Sequence, residues 1–221
     1  MSGKRSDEMN SMDHIARVPN VVIEDTRAPA AVAEHVAATL AFRGDNSIAL
    51  SGGSTPPKIF QELSGEGIGW TGARVYPTDE RRVPTDHPAS NVGMLRAQLG
   101  GSGAIIVELE AGMRPEPFDL VWVGMGDDGH VASLFPAMTI VEDPLYACVI
   151  ETVPRPLPKE APFARLTLNL AALVATKQIL LVVSGVPKRR MLQEVLAAEP
   201  DLPVTRLLRA ARRPVSIYTL D

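Results

Sequence analysis

The sequence predicts an α/β fold built on one largely parallel sheet with helices on both faces, and three observations lead there. Short apolar segments of strand length alternate with stretches of helical periodicity from about residue 21 to residue 219. The run Leu120-Val-Trp-Val123, bounded by Pro117 and Gly124, is apolar without alternation, as a strand covered on both sides is. No internal repeat and no linker divides the chain, so 19–221 reads as a single domain behind a polar, aperiodic tail at 1–18.

Taken in order, 21–23 is a strand, and 28–42 carries Ala, Val and Leu at helical spacing. Segment 47–50 is the next strand. The turn Gly52-Gly-Ser-Thr-Pro56 opens a helix to about residue 63, with Pro56 or Pro57 suited to its first turn. A strand at 73–76 precedes a helix at 91–99, for which Asn91 is the expected cap. Short strands follow at 105–107, 120–123 and 146–150, and 166–170 reads as a strand leading into a short helix at Ala171. The strongly apolar 178–183 is a strand, 187–198 the helix after it, and 215–219 the closing strand. The basic stretch 207–213 is assigned no role.

Composition narrows the class. With 221 residues, 45% hydrophobic and 22% charged, the chain is ordinary globular material. No apolar run approaches the ~20 residues that cross a bilayer. The single cysteine, Cys148, has no intrachain partner and sits in a strand-like run, which reads as a buried thiol. The first residues lack the apolar core of a secretory signal, so a cytoplasmic protein is expected. A formal net charge of −4 gives no support to nucleic-acid binding. An anionic substrate must be met by local basic residues.

In an open parallel sheet, ligands sit outside the carboxyl ends of the strands, where loops distant in sequence meet. Four segments leave strands in that direction: Ser51-Gly-Gly-Ser-Thr55, Pro77-Thr-Asp-Glu-Arg-Arg82, Gly124-Met-Gly-Asp-Asp-Gly-His130 and Ser184-Gly-Val-Pro-Lys188. Taken singly, the first is an ordinary helix start, the second a solvated charge run and Lys188 a surface lysine. Together they are complementary. Two glycines and three hydroxyls make a phosphate cradle that is neither a P-loop nor a hydrolase nucleophile elbow, with the following helix start expected to add free N–H groups. Asp79 and Arg81 supply a carboxylate and a cation, and Lys188 a point charge that reaches a phosphate.

Gly124, Gly126 and Gly129 also satisfy G-x-G-x-x-G, but Asp127 and Asp128 would set negative charge against a pyrophosphate, and Pro136 follows too soon for a crossover helix. Among the four histidines, His14 lies in the tail and His35 on the first helix. His87 lies in a turn near the charged loop, and His130 alone in a glycine-bounded loop at a strand end. A histidine, with an ordinary pKa near 6.5, takes and returns a proton around neutrality. No metal-ligand spacing is present, and no cofactor is expected.

Ser51-Gly-Gly-Ser-Thr-Pro56, Asp79-Glu-Arg-Arg-Val-Pro84 with Ser90-Asn91, and Gly124-Met-Gly-Asp-Asp-Gly-His-Val-Ala-Ser-Leu-Phe-Pro136 together resemble the 6-phosphogluconolactonase family, and the similarity extends to Arg165-Leu-Thr-Leu168 and Lys188. The resemblance implies a Rossmann-like fold shared with sugar-phosphate deaminases and ribose-5-phosphate isomerase. It also implies hydrolysis of 6-phospho-D-glucono-1,5-lactone without metal or nucleotide. His130 then corresponds to the general base, oriented by Asp128. Arg81 is the oxyanion-stabilising or substrate-orienting cation, and Asp79 holds sugar hydroxyls or Arg81 itself. Gly52, Gly53, Ser54, Thr55, Arg165 and Lys188 hold the phosphate. The implied partner is a phosphosugar lactone, with no nucleic acid and no membrane, in a monomer or weak homodimer.

Asp127 and Arg82 depart from the family pattern, which commonly has proline and cysteine there. Glucosamine-6-phosphate deaminase shares the Asp-Gly-His core but continues toward Asn-Glu-Pro, where this chain has Ser133-Leu-Phe-Pro136. A sugar-phosphate-binding regulator needs an output module that an 18-residue tail is too short to supply.

Overall fold

Seven of the apolar segments are strands of one sheet in which every neighbouring pair is parallel. The computed structural model describes residues 20–41, 45–63, 68–136, 146–153 and 162–221. The expected tail, with His14, lies outside the described residues, as does Phe42, the expected end of the first helix, which ends instead at Leu40. In chain order the elements are β1 (Val21–Ile23), α1 (Pro29–Leu40), β2 (Ser47–Leu50), α2 (Pro56–Glu62), β3 (Arg74–Pro77), β4 (Asp79–Arg81), α3 (Asn91–Leu99), β5 (Ile105–Ile106), β6 (Leu120–Gly124), β7 (Val149–Thr152), β8 (Arg165–Leu168), α4 (Leu170–Val174), β9 (Ile179–Ser184), α5 (Val186–Ala198), α6 (Pro203–Ala210) and β10 (Val215–Leu220).

The main sheet runs β1-β10-β9-β6-β2-β3-β5. Side chains alternate across a strand, so β6 buries Leu120 and Trp122 against α1, α2 and α3 on one face, and Val121 and Val123 against α4, α5 and α6 on the other. This double burial is why its run reads as continuously apolar. From β2 the chain moves to β3 on one side, while β6 lies on the other side of β2. That reversal of direction opens a crevice at the carboxyl ends of β2 and β6.

A second sheet, β4-β8-β7, is antiparallel. It corrects the reading of Asp79 to Arg81 as part of a loop. These residues form a strand whose register sets Asp79 opposite Thr167 and Arg81 opposite Arg165, and a run of three charged residues hides that pairing. Only Thr78 separates β4 from β3, and it joins the two sheets: its N–H donates to Leu50 O (3.0 Å) and its carbonyl accepts from Leu168 N (2.9 Å).

Three further expectations change. Ser90, with extended backbone, is the cap of α3; its Oγ accepts from Gly93 N (2.9 Å), which makes Asn91 the first helical residue. The basic stretch begins inside α6, an amphipathic helix burying Val204, Leu207 and Leu208 while Arg209 is exposed. Tyr146 is exposed and precedes β7 rather than lying in it. Cys148 is buried, as expected. Among the described residues no helix is long and apolar enough to cross a membrane.

Candidate active site

The crevice between β2 and β6 widens into a cleft of about 330 Å³. Ser51 to Pro56 line it from the end of β2, Gly124, Met125 and His130 from the end of β6, and Lys188 from the start of α5 after β9. Asp79, Arg81 and Arg165 line it from the second sheet. Every residue assigned to the site from sequence lines this cleft except Asp128, which bonds to a residue that does.

His130 is held on three sides. Its Nδ1 lies 2.6 Å from Asp128 Oδ1, and its backbone N–H donates to the same oxygen at 3.0 Å. The Phe135 ring packs on the imidazole at 4.7 Å between centroids, tilted by 35°. Gly126 closes the third side: a Cβ there would stand 2.1 Å from Nδ1, so the turn approaches the ring as only glycine allows. Burial pushes the Asp128 carboxyl up, but the side-chain hydrogen bond, the charge and the backbone N–H of His130 together hold it below the ordinary carboxylate range. An ionised carboxylate only accepts, which puts the proton on Nδ1 and leaves the lone pair of the neutral ring on Nε2.

The opposite wall is cationic. Arg81 and Arg165 are directly opposed across the β4–β8 pair, an arrangement that like charges make unfavourable. Arg165 is almost fully buried; desolvation, and then the Arg81 charge, push its pKa down against the countering effect of Asp79 and Glu80. Its Nη1 stands 4.0 Å from Asp79 Oδ2, which also accepts from Ser133 Oγ at 2.6 Å. A buried cation, Arg165, set beside the half-buried Arg81 beneath an open cleft forms a seat for an anion.

The phosphate cradle differs in one respect from expectation. Prolines occupy the first two positions of α2 and carry no N–H, so the helix start adds few free donors. The available donors are the loop's own N–H groups at Gly52 to Thr55, and Thr55 caps α2 without a side-chain hydrogen bond. Gly53 adopts φ +94°, which glycine alone takes without strain.

Asp79 and Arg81 are joined through Asn91 rather than directly. Arg81 Nη1 donates to Asn91 Oδ1 (2.9 Å), and Asn91 Nδ2 donates to the Asp79 carbonyl (2.6 Å). Sequence reasoning saw Asn91 as a cap and as part of the motif that carries the family resemblance, and gave it no role in the site. It also missed Glu80, whose carboxylate accepts from Asn91 N (2.9 Å) and Val92 N (2.6 Å), and the buried Ser133. Their signal lay in the spacing of Glu80 to the Ser90-Asn91 helix start, legible only once the β4 strand is known. His87 and Asp127 lie outside the cleft; His87 accepts from Ala89 N (3.0 Å) and packs edge-on to Phe163.

A second cavity of about 350 Å³ lies at the amino ends of β2, β6 and β9. Its His35 is tied to Tyr218 (3.0 Å) and Gln178 (2.9 Å), and Lys177 is paired with Asp119, so its polar groups satisfy one another. Among the described residues no group of three or more His, Cys, Asp and Glu side chains is gathered to hold a metal ion.

Comparison with known proteins identifies the family. A family model described as glucosamine-6-phosphate isomerases/6-phosphogluconolactonase matches residues 25–108 and 102–216. The chain is 36% identical over 212 residues to a 6-phosphogluconolactonase of Mesorhizobium japonicum, covering 85% of this chain and 87% of that protein. It is 34% identical to one from Pseudomonas aeruginosa, covering 88% and 90%. The crystal structure of a 6-phosphogluconolactonase from Shewanella baltica superposes with a TM-score of 0.77 at 28% identity, over 92% of this chain and 99% of that one. The chain belongs to the glucosamine-6-phosphate isomerase/6-phosphogluconolactonase family.

Proposed function

We propose that this chain hydrolyses 6-phospho-D-glucono-1,5-lactone to 6-phospho-D-gluconate in the oxidative pentose phosphate pathway, with His130 as general base. The observation that carries the reading is the His130–Asp128 pair on one wall of a cleft whose other wall presents Arg81 and Arg165. Nε2 takes a proton from water as its oxygen attacks C1 of the lactone. The negative charge that develops on the carbonyl oxygen is met by Arg81. When the tetrahedral intermediate collapses, the C1–O5 bond breaks and the imidazolium returns its proton to O5, which leaves as the C5 hydroxyl. Asp128 stays ionised throughout, orienting the ring and stabilising its charged form.

The phosphate is seated by the Gly52, Gly53, Ser54 and Thr55 turn, Lys188 and Arg165. Opposed cations, one of them buried, favour an anionic substrate over its neutral analogue. Asp79, fixed by Ser133 and Asn91, turns its carboxylate to sugar hydroxyls. The family also contains deaminases, which need a carboxylate following the histidine motif. Here Ser133 occupies that stretch with its hydroxyl committed to Asp79, which favours the lactonase. The expected setting is the cytoplasm, as a monomer or weak homodimer.

The deciding assay compares turnover of freshly generated 6-phosphogluconolactone, corrected for spontaneous hydrolysis, with release of ammonia from glucosamine 6-phosphate. Lactone turnover above background with no ammonia supports the proposal. Ammonia release without lactone turnover replaces it with the deaminase reading.

A further inference from the structure

Arg81 must present its guanidinium to the cleft in one orientation, and the structure assigns that task to Asn91. This inference rests on the role proposed for Arg81 in lactone hydrolysis. Among the described residues, the guanidinium hydrogen bonds to protein both leave Nη1: to the Ala89 carbonyl at 2.8 Å and to Asn91 Oδ1 at 2.9 Å. Nε is buried with no partner among these residues. The two acceptors fix the guanidinium by one nitrogen and leave the rest of it unclaimed.

The chemistry of the network sets the orientation of the Asn91 amide. A guanidinium carries no acceptor, so Oδ1 must face Arg81. Nδ2 must then face Asp79, and it donates to that residue's carbonyl at 2.6 Å and to Oδ1 at 3.3 Å. An amide therefore links a cation and a carboxylate without adding charge. An aspartate in its place would set a second carboxylate against Asp79, and a serine is too short to span the gap.

Asn91 is itself held. It is 2% exposed, its N–H is bound by Glu80 Oε1, and it begins a helix capped by Ser90. Gly52 lies against the same amide, since a Cβ there would come within 1.9 Å of Oδ1. One buried side chain thus sits between the turn assigned to phosphate and the cation assigned to the oxyanion. It does not line the cleft. Asn91 is a positioning residue acting through Arg81.

The test is a double-mutant cycle of Asn91→Ala and Arg81→Ala, with kcat and KM measured on 6-phosphogluconolactone and folding followed by thermal unfolding. Asn91→Ala is expected to lower kcat about 10- to 100-fold, the range for loss of a hydrogen bond to a charged group. KM should change far less. In the Arg81→Ala background the same substitution should change kcat by less than about twofold, because the group it aims is gone. Guanidinium ion at millimolar concentration should partly restore Arg81→Ala, and should fail to restore the double variant.

Equal losses in both backgrounds, or rescue that does not depend on Asn91, would show a role in general packing and overturn the inference. Should Asn91→Ala not fold, Asn91→Ser carries the same cycle, since serine is tolerated in a first helical turn. Absence of lactone turnover in the unmodified protein overturns the proposed function, and this inference with it. Wild-type turnover with an unaffected Asn91 variant overturns only the inference.

Discussion

Gly126→Ala adds one methyl group where the structure has no room for it. The new Cβ would lie 2.1 Å from His130 Nδ1, 2.2 Å from Cε1 and 2.6 Å from Asp128 Oδ1, against an ordinary contact that begins at 3.4 Å. Gly126 does not occupy the left-handed region, so the substitution tests space and not backbone strain. Relief requires the imidazole to retreat by about 1 Å or more, and a misplacement of that size costs on the order of 10²-fold in rate. The 2.6 Å bond to Asp128 cannot stretch so far and remain a hydrogen bond, which adds loss of the tautomer it enforces. We expect kcat to fall about 10²- to 10³-fold with KM within about threefold of wild type, since the phosphate groups are untouched. Initial rates on freshly generated lactone, corrected for spontaneous hydrolysis, measure this, with thermal unfolding run in parallel. A kcat within about threefold of wild type in a folded variant would mean that the geometry of His130 does not govern the reaction.

Three further outcomes are expected. His130→Ala should lower kcat by about 10²- to 10⁴-fold with substrate affinity nearly unchanged, and an unchanged enzymatic rate would remove it from the mechanism. Lys188→Ala should mainly raise KM for the phosphorylated lactone and narrow discrimination against unphosphorylated gluconolactone; a fall in kcat with KM unchanged would contradict its phosphate role. Asp128 is held below its unfolded-state pKa, so it stabilises the folded protein above about pH 4, and that contribution fades as pH falls through the lowered value. The Tm difference between wild type and Asp128→Asn should therefore shrink from pH 7 toward pH 3, and a pH-independent difference would refute the assignment. The effect is small, because the Asp128 side chain is half exposed.

Much of the main sheet was legible because its strands are buried on both faces. The 120–123 and 178–183 runs announce themselves by composition, and the turns after them by glycine and proline. β4 was not legible. Three consecutive charged residues have low strand propensity, and only pairing with β8 and the helix start at Asn91 makes them a strand. The α6 helix was hidden by a window that began too late, missing Pro203 and Val204 where its periodicity starts. The site residues were found because each sits in a loop of distinctive chemistry. The groups that hold them, Asn91, Glu80 and Ser133, were missed because their work lies in contacts across 10 to 54 residues, and no local pattern records such contacts.

Thr78 sets the mechanical character of the cleft. Its backbone is bonded on one side to β2, which carries the glycine turn, and on the other to β8, which carries Arg165. The glycine turn and the strand of Arg165 are therefore tied together through the backbone of a single residue. Substrate does not have to draw the cations and the phosphate turn together by closing a domain. Their spacing is set when the chain folds, and binding selects the ligand whose phosphate-to-carbonyl length matches it.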